Sequence, residues 1–411
     1  MDGPLPALLS GFSHHGWKVA DVSWGRFAEV SLRKGDRRLA TWIAPAGAET
    51  GCFRQTASFK VGYRGEGADA DALAALEALA DGLRDLEARL APGEAVPWPG
   101  REAAPDRLAV SDGVLELRVT LRCNERCAFC NSADWVENRA DGPGAVDRAL
   151  AAAPALGVHT VHFTGGEPTL VRELPDWVVA ARRAGLRAVV QTNALGIDEG
   201  FLDAFRDGDG REWLPDLLFV SFHTRHADRV RTLTGVGGTL RRKVDGIRRA
   251  LGRGVPVHLN FVIQAANLDE LDGFPAYVAR TFVPPDREGF PGVAIVFSVV
   301  APTGRSSGRP DLWPSMRDLA PRLARALDAA DALGVPASVP EACGVPVCVL
   351  PSHARFFEAS RRARDAGAPA EDRVKAPGCA SCMLERRCVG IWRRYAEVRG
   401  TGEFVPVRQA R

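Results

Sequence analysis

The sequence predicts an α/β protein with a partial (β/α)6 barrel of the TIM type at its centre. A small N-terminal α+β domain precedes the barrel and a loop-rich C-terminal extension follows it. Two observations predict the barrel: segments rich in Val, Leu, Ile and Phe alternate with helical stretches, and their apolar residues do not alternate strictly with polar ones. The second pattern is typical of parallel strands. Ligands of such a sheet bind at the carboxyl ends of its strands.

The chain has 411 residues, which is long for one domain. We assign 1–100 to the α+β domain, 101–114 to a linker, 115–302 to the barrel and 303–411 to the extension. The segment "APGEAVPWPGREAAP" supports a linker, because its prolines disfavour both helix and sheet. The first domain could dock a leader peptide through an edge strand, or it could be a structural cap on the barrel.

The strands and helices follow from the period of the apolar residues. In the first domain the predicted strands are "WKVADVSW", "FAEVSLRK", "RRLATWIA" and "ASFKVGYRG", and a helix follows at "ADALAALEALADGLRDLEARL". In the barrel the predicted strands are "LELRVTLR", "VHTVHFT", "RAVVQTN", "LLFVSFH", "PVHLNFVI" and "GVAIVFSVV". The extension is predicted to contain a helix at "MRDLAPRLARALDAADALG" and then a cysteine-bearing tail.

Composition predicts an ordinary soluble protein with a sizeable core. The 53 Lys and Arg residues nearly balance 51 Asp and Glu residues, so there is no reason to expect a nucleic acid or a membrane as partner. The amino terminus "MDGPLPALLSGF" lacks the basic residues of a secretory signal, and no apolar stretch is long enough to span a bilayer. We therefore expect a cytoplasmic protein with reduced cysteines.

Three cysteines in "LRCNERCAFCN" directly follow the first barrel strand. Their spacing could place them on one helical face as small buried hydrophobes, or could direct three thiolates to one inorganic centre. Polar residues between them favour the inorganic centre. Structural zinc takes four ligands and no nearby motif supplies a fourth, so thiolates on a compact loop suit an iron–sulfur cluster better. These ligands are Cys123, Cys127 and Cys130.

This CxxxCxxC motif, with the aromatic Phe129 before its last cysteine, closely resembles the signature of the radical S-adenosylmethionine (SAM) enzymes. The resemblance implies that the three thiolates hold three irons of a [4Fe-4S] cluster. It also implies that the amino and carboxylate groups of SAM chelate the fourth iron, which explains the missing protein ligand.

A second motif, "FTGGEPTL", ends the next strand and is similar to the GGEP motif of that family. Taken alone, GGEP is a plausible turn. The resemblance implies that its backbone and carboxylate meet the SAM amino group. Glycines permit a close approach of backbone, and an acidic side chain suits an ammonium. The residues are Gly165, Gly166, Glu167 and Pro168.

Polar residues at later strand ends match the family's contacts to the SAM ribose and carboxylate, or are satisfied polar residues of a barrel mouth. They are Thr192, Asn193, Ser221 and Asn260. Related enzymes often carry an arginine a dozen residues after the fourth-strand serine. This chain departs from that pattern, with Leu233 and Thr234 there and Arg229 and Arg231 nearby.

Two histidines are candidates for acting on a substrate proton. His223 and His226 follow the fourth predicted strand and would face the barrel mouth. The alternative is that both are ordinary surface histidines.

A second group of cysteines lies near the end of the chain. "CASCMLERRC" contains Cys379, Cys382 and Cys388, and Cys348 would complete four thiolates, with Cys343 competing for the fourth place. Four thiolates can close a [4Fe-4S] cluster or form a structural zinc site. The tail resembles the SPASM and twitch extensions of radical SAM proteins, which favours one auxiliary [4Fe-4S] cluster. It departs from the full SPASM pattern, because Trp392 stands where a further cysteine is expected.

The expected function is that of a radical SAM oxidoreductase or maturase. The resemblance implies reductive cleavage of SAM to a 5′-deoxyadenosyl radical, which abstracts hydrogen from a substrate C–H bond. An electron donor such as a flavodoxin or ferredoxin is an expected partner. The expected substrate is a ribosomally made peptide that is crosslinked or oxidised. The alternatives are dehydrogenation of a small molecule and, from another class, a non-catalytic iron–sulfur or zinc redox sensor.

Overall fold

The structure is a computed structural model. It describes residues 4–24, 28–45, 54–55, 59–63, 69–89, 109–111, 113–131, 141–286, 290, 292–361 and 372–408. The chain separates into two compact units, one of Met1–Arg107 with Val136–Asn138 and the other of Leu108–Trp135 with Arg139–Arg411. Each unit has its own hydrophobic core.

The first unit is an antiparallel sheet with two helices, in the spatial order β1-β2-β3-β4-β6-β5. Asp69 caps the second helix by accepting a hydrogen bond from the Ala72 amide at 2.9 Å. The buried face of that helix packs against apolar residues of the sheet. The elements are α1 (Pro4–Gly11), β1 (Ser13–His14), β2 (Trp17–Trp24), β3 (Ala28–Lys34), β4 (Arg37–Pro45), β5 (Arg54–Gln55), β6 (Phe59–Tyr63) and α2 (Ala70–Ala88).

The second unit is built on an eight-stranded sheet whose order follows the chain in reverse, from β14 to β7. Strands β8 to β14 are parallel, and only β7 runs antiparallel to its neighbour. The strands are β7 (Ala109–Ser111), β8 (Val114–Thr120), β9 (Thr160–Gly165), β10 (Arg187–Thr192), β11 (Leu217–Ser221), β12 (Val257–Ile263), β13 (Val293–Val299) and β14 (Ala337–Ser338). The prediction of an α/β fold with a partial (β/α)6 barrel is confirmed.

Helices connect these strands and bury one apolar face each against the sheet. They are α3 (Pro143–Ala152), α4 (Leu174–Arg183), α5 (Glu199–Asp203), α6 (Val230–Thr234), α7 (Leu240–Gly252), α8 (Phe274–Phe282) and α9 (Met316–Ala332). The tail adds α10 (Glu358–Arg361), a two-stranded sheet of β15 (Arg373–Val374) and β16 (Ile391–Trp392), and α11 (Arg393–Arg399). Most of the remaining tail consists of turns and short 3₁₀ helices.

Two elements lie in segments that the sequence assigns elsewhere. Strand β7 falls within the 101–114 segment and pairs with β8, although the rest of that linker lies mostly outside the described residues. Strand β14 belongs to the 303–411 segment and extends the barrel sheet beside β13. Both strands are only two or three residues long, which is too short for the alternation of apolar and polar residues to identify a strand. Among the described residues, no helix is both long and apolar enough to cross a membrane.

Candidate functional site

The cysteine loop begins where β8 ends and is attached to two other parts of the barrel by backbone hydrogen bonds. The Arg126 amide donates to the Thr234 carbonyl at 2.7 Å, which fixes the loop to the end of α6. The Arg305 amide donates to the Cys130 carbonyl at 3.1 Å, from the loop that follows β13. Cys123, the first cysteine, is exposed, whereas Cys127 and Cys130 are partly buried. The loop is thus held at the carboxyl end of the sheet, where a barrel binds its ligands.

Gly165, the last residue of β9, and Gly166, which follows it, allow the chain to pack directly against the end of β8 and the start of the cysteine loop. A Cβ on Gly165, whose φ is +141°, would lie 2.1 Å from the Thr120 carbonyl oxygen, and one on Gly166 would lie 2.2 Å from that of Arg122. The Gly166 amide donates to Thr120 at 2.7 Å, and the Glu167 amide donates to Arg122 at 2.8 Å. Glycine is therefore required here by a neighbouring backbone of the same chain.

The Glu167 carboxylate lies almost fully buried at 1% exposure. Its Oε1 accepts hydrogen bonds from the Thr192 hydroxyl at 2.6 Å and from the Thr169 hydroxyl at 2.7 Å. Its Oε2 accepts one from the Asn193 amide at 2.7 Å. Burial raises the pKa of Glu167, and these hydrogen bonds counter that rise. The carboxylate therefore joins the ends of β9 and β10, and one lone pair of Oε2 is left for a further donor.

The residues after β10 connect this turn to the cysteine loop. The Asn193 side chain donates from Nδ2 to Oδ1 of Asn124 at 2.6 Å, and Asn124 lies between the first two cysteines. Pro168, which is buried, starts a short 3₁₀ turn that Glu167 caps. The structure thus brings together the cysteine loop, the glycine turn and the Thr-Asn pair, which the sequence separates by up to 70 residues.

The polar residues of the next strands lie side by side. Ser221, at the end of β11, is in register with Asn260 of β12. The Asn260 side chain accepts a hydrogen bond from the Ser298 hydroxyl at 2.7 Å, so its amide oxygen already has a partner. At the end of β12, the buried Nε2 of Gln264 has no hydrogen-bond partner. Gln264 was not singled out in the sequence, where it is simply the first residue after an apolar strand.

His223 is buried, and its ring packs edge-on against Phe129 of the cysteine loop, with centroids 4.9 Å apart. Its Nδ1 accepts a hydrogen bond from the Val262 amide at 3.2 Å. Burial, and next the Lys243 ammonium, lower the pKa of His223 to about 3. The imidazole is therefore neutral near pH 7 with its proton on Nε2, so it can donate a hydrogen bond but does not supply a proton from an imidazolium.

His226 and Arg229 lie beside the carboxylates of Asp269 and Glu270. The Nε2 of His226 lies 3.9 Å from Oε2 of Glu270, and the imidazole is 39% exposed. The Arg229 guanidinium binds both oxygens of Asp269, at 2.5 and 2.7 Å. Arg231 packs beside Gly237 in the loop after α6. Arg229 is thus already paired with carboxylates of this chain.

One pair of residues at the cysteine loop is not predicted from the sequence. Glu125, between the first two cysteines, forms an ion pair with Lys243 of α7, at 2.9 Å between Nζ and Oε1. Lys243 also donates to the Ser221 carbonyl at 3.3 Å. The sequence alone does not show that Glu125 is paired, because its partner lies 118 residues away along the chain.

The thiols of the loop suit an iron-bearing group. Partial desolvation of the Cys123 thiol, and burial of the Cys127 thiol, raise the pKa of each, so each stays a neutral thiol unless a cation is bound. A metal ion provides that charge and deprotonates a coordinating thiol. Among the residues that the structure describes, no group of three His, Cys, Asp or Glu side chains is arranged to hold a single metal ion.

Four thiols of the tail line one pocket. They are Cys348, Cys379, Cys382 and Cys388. Burial, and next the three other thiols of the pocket, raise the pKa of Cys348 to about 12. The pocket is also lined by Arg373, Lys375 and Arg387, whose positive charges suit a group that carries four thiolates.

Cys343 lies apart from this pocket. It does not line the pocket, and the charged groups that act on its thiol are Arg373 and Glu116, the latter in β8. Its carbonyl accepts a hydrogen bond from the Val299 amide at 2.6 Å, which ties the segment to the end of β13. Trp392, at the place of the missing SPASM cysteine, lies under the Arg373 guanidinium at 3.4 Å from the ring centroid.

Comparison with known proteins identifies the barrel. Residues 117–274 match the family model of the radical SAM superfamily. This part of the chain is a radical SAM domain. The family was predicted from the cysteine and glycine motifs, and that prediction is confirmed. Members of this superfamily are enzymes that bind a [4Fe-4S] cluster and SAM.

The curated relatives include GTP 3′,8-cyclases and PqqA peptide cyclases. The chain is 34% identical over 160 residues to a probable GTP 3′,8-cyclase of Metallosphaera sedula, covering 38% of this chain and 49% of that one. It is 29% identical over 155 residues to a PqqA peptide cyclase of Methylobacterium nodulans, covering 37% and 40%. The chain thus spans half or less of the length of these two relatives.

Solved structures include "Native anSMEcpe with bound AdoMet and Cp18Cys peptide". It matches with a TM-score of 0.47 at 13% identity, over 71% of this chain and 92% of that one. The structure of Streptococcus suis SuiB matches with a TM-score of 0.44 at 14% identity, over 66% and 55%.

Proposed function

We propose that this protein cleaves SAM reductively and uses the resulting radical to abstract hydrogen from a substrate C–H bond. The observation that carries the proposal is the junction of the cysteine loop with the glycine turn. Backbone hydrogen bonds from Gly166 and Glu167 hold the two motifs together at the carboxyl end of the sheet. A protein that only stored or sensed iron would not need this second motif.

The cluster would be held by Cys123, Cys127 and Cys130. When bound, such a cluster supplies one electron to SAM, which yields methionine and a 5′-deoxyadenosyl radical. The remaining lone pair of Glu167 Oε2 suits the SAM amino group, and Thr192, Asn193, Ser221 and Asn260 are the proposed polar residues around SAM. The protein positions the C–H bond and excludes water from the radical.

The tail pocket would hold an auxiliary [4Fe-4S] cluster on Cys348, Cys379, Cys382 and Cys388. Cys343 is the weaker candidate for the fourth place, because it does not line the pocket. Such a cluster could accept an electron from the substrate radical, or could bind the substrate. A flavodoxin or ferredoxin is the proposed electron donor.

We propose a ribosomally made peptide as the substrate. The PqqA peptide cyclase relatives support this assignment. The first unit offers a place for a peptide, since β1 pairs with β2 only at Trp17 and Lys18. No other described strand pairs with that edge of β2, which leaves backbone groups for an added strand.

A small molecule is the second candidate substrate, because other relatives are named GTP 3′,8-cyclases. The test supplies the reconstituted protein with SAM, dithionite and either a short peptide encoded beside its gene or GTP. We expect the peptide to lose the mass of two hydrogen atoms for each new bond or unsaturation. An unchanged peptide together with a converted nucleotide would favour the second candidate.

A further inference from the structure

Four exposed arginines lie on or beside the cysteine loop. Arg122 and Arg126 belong to the loop itself, Arg231 belongs to α6, and Arg305 belongs to the loop after β13. In the part of the chain that the structure describes, no carboxylate forms an ion pair with any of these four guanidinium groups. We call these four residues the basic rim.

The Arg305 side chain lies against the cysteine loop. Its Nη1 donates to the Cys127 carbonyl at 3.5 Å, and its amide donates to the Cys130 carbonyl at 3.1 Å. The preceding residue, Gly304, has a φ of +56°, and a Cβ there would lie 2.6 Å from the same Cys130 oxygen. The positive charge of Arg305 is therefore held next to the backbone of two of the three cysteines.

Arg126 and Arg231 pack against one short loop, residues 235–237. A Cβ on Gly235 would lie 2.9 Å from the Arg126 Cβ, and one on Gly237 would lie 3.1 Å from the Arg231 Nε. The Arg126 amide also donates to the carbonyl of Thr234, the last residue of α6. These contacts fasten the two arginines to neighbouring residues beside the cysteine loop.

Positive charge is concentrated in this region. The segments 121–131, 225–237 and 303–311 contain seven arginines and three carboxylates, whereas the whole chain has a net charge of only +2. Each of the three carboxylates already acts on another cation, in the pairs Glu125 with Lys243, Asp311 with Arg309 and Asp228 with Arg229. The basic rim therefore keeps four positive charges that no carboxylate of the described residues neutralises.

Unpaired surface charges are often only a solvated face. The position of these charges distinguishes them, because the proposed central cluster must receive an electron from outside the chain. Cys123, one of its proposed ligands, is itself exposed, so the site lies next to the protein surface. Encounters between redox proteins bury little area and depend on complementary charge. Exposed arginines suit an acidic partner, since they attract it and donate hydrogen bonds to its carboxylates.

We propose that the basic rim is the docking surface of an acidic protein of the flavodoxin type, which carries single electrons. In the docked pair the reduced flavin loses one electron and the central cluster gains it, and no other group is transferred. This inference rests on the proposed function, and it adds the surface through which the electron donor is recognised.

The test compares three variants with the wild-type protein. Arg126→Gln with Arg231→Gln removes two charges of the rim, and neither guanidinium makes a hydrogen bond to a described residue. Arg126→Glu with Arg231→Glu reverses the same two charges. Arg183→Gln with Arg206→Gln is the matched control, because it removes two exposed cations that precede β10 and β11, at the amino end of the parallel sheet.

The first readout is calorimetric binding of an oxidised bacterial flavodoxin of negative net charge, to the proteins with and without their clusters. It is measured at about 10 mM and about 1 M salt, where the Debye length is about 30 and 3 Å. At low salt we expect the neutral variant to bind roughly tenfold more weakly than the wild type, the lower end of what electrostatic steering provides. The reversed variant should bind more weakly again, the control should match the wild type, and the differences should vanish at high salt.

The second readout is the formation of 5′-deoxyadenosine, driven either by photoreduced flavodoxin or by dithionite. With flavodoxin, we expect the neutral variant to have a KM for flavodoxin that is raised by a similar factor and an unchanged kcat. With dithionite, the neutral variant and the wild type should form the nucleoside at the same rate, and both should bind SAM equally well.

Equal flavodoxin affinities in the wild type and the neutral variant at low salt would overturn the inference, and so would an equal loss of affinity in the control. A neutral variant that loses SAM binding or its dithionite-driven rate would also overturn it, since the arginines would then serve SAM or the cluster. If the reversed variant does not fold, the neutral variant decides alone. A wild-type protein that forms no nucleoside with either reductant would contradict the proposed function, whereas calorimetry would still decide whether the rim binds the donor.

Discussion

At the scale of single residues, Gly165 and Gly166 at the end of β9 are needed because another part of the backbone approaches them closely. The Gly166 position faces the Arg122 carbonyl, and any side chain would push the glycine turn away from the cysteine loop. The sequence suggested that these glycines make room for SAM. The structure adds a second reason, which is contact with the end of β8 and with the first residues after it.

Replacing Gly166 by Ala should therefore weaken the junction. We expect a loss of about 1–3 kcal/mol in the free energy of unfolding, the usual cost of overpacking, together with weaker SAM binding. Urea unfolding and calorimetric titration with SAM measure the two effects. The control is Gly252→Ala at the end of α7, where a Cβ meets nothing within 4 Å. A Gly166→Ala protein as stable as the control would contradict the close packing.

His223 predicts a pH dependence of stability. Burial lowers its pKa to about 3, whereas an unfolded histidine titrates near 6.5. The neutral His223 therefore makes its full contribution to the free energy of unfolding above about pH 6.5. This contribution is lost as the pH falls towards 3, because the unfolded chain binds the proton and the folded chain does not. Between pH 6.5 and 5 the loss should be about 2 kcal/mol.

The measurement is urea unfolding of the reduced apoprotein at these two pH values. His223→Gln should remove this part of the pH dependence, whereas His226→Gln, whose imidazole is half-exposed, should keep it. Identical slopes for His223→Gln and the wild type would show that His223 is not held neutral by its surroundings.

At the scale of elements, the barrel strands could be predicted well because each carries its own signal. A strand overlaps each of the six predicted segments, the cysteine motif follows β8, and the glycine motif begins at the last residue of β9. The short strands β7 and β14 could not be predicted, because pairing with a long neighbour, and not local sequence, makes them strands. The proposed choice of Cys348 over Cys343 likewise needed the fold, since both are about equally far from the other three cysteines along the chain and only Cys348 lines their pocket.

This difference between two cysteines gives a prediction for the tail. The wild-type protein with two [4Fe-4S] clusters should contain about eight irons per chain. Cys348→Ala should lower the count towards about four, because it removes one of the thiols that line the pocket. Cys343→Ala should keep the full count and serves as the matched control. If only the Cys343 variant lost iron, Cys343 and not Cys348 would be the fourth ligand of the auxiliary cluster. A wild-type protein with about four irons and bound zinc would instead indicate a structural zinc site in the tail.

At the scale of the whole molecule, long-range pairs decide the site and are invisible in the sequence. Lys243 meets Glu125 across 118 residues, and Asn193 meets Asn124 across 69. A motif shows which residues can hold a group, but only the folded sheet shows which other side chains orient them. The electrostatics of the site therefore had to come from the structure.

The most direct test of the account is the formation of 5′-deoxyadenosine. The protein is reconstituted anaerobically with iron and sulfide and then given dithionite and SAM. We expect the wild-type protein to release 5′-deoxyadenosine and methionine, and Cys127→Ala to release neither. The Cys343→Ala protein should still release both products, because Cys343 lies outside the cysteine loop. No nucleoside from a fully loaded wild-type protein, or undiminished nucleoside from Cys127→Ala, would contradict the radical SAM assignment of the activity.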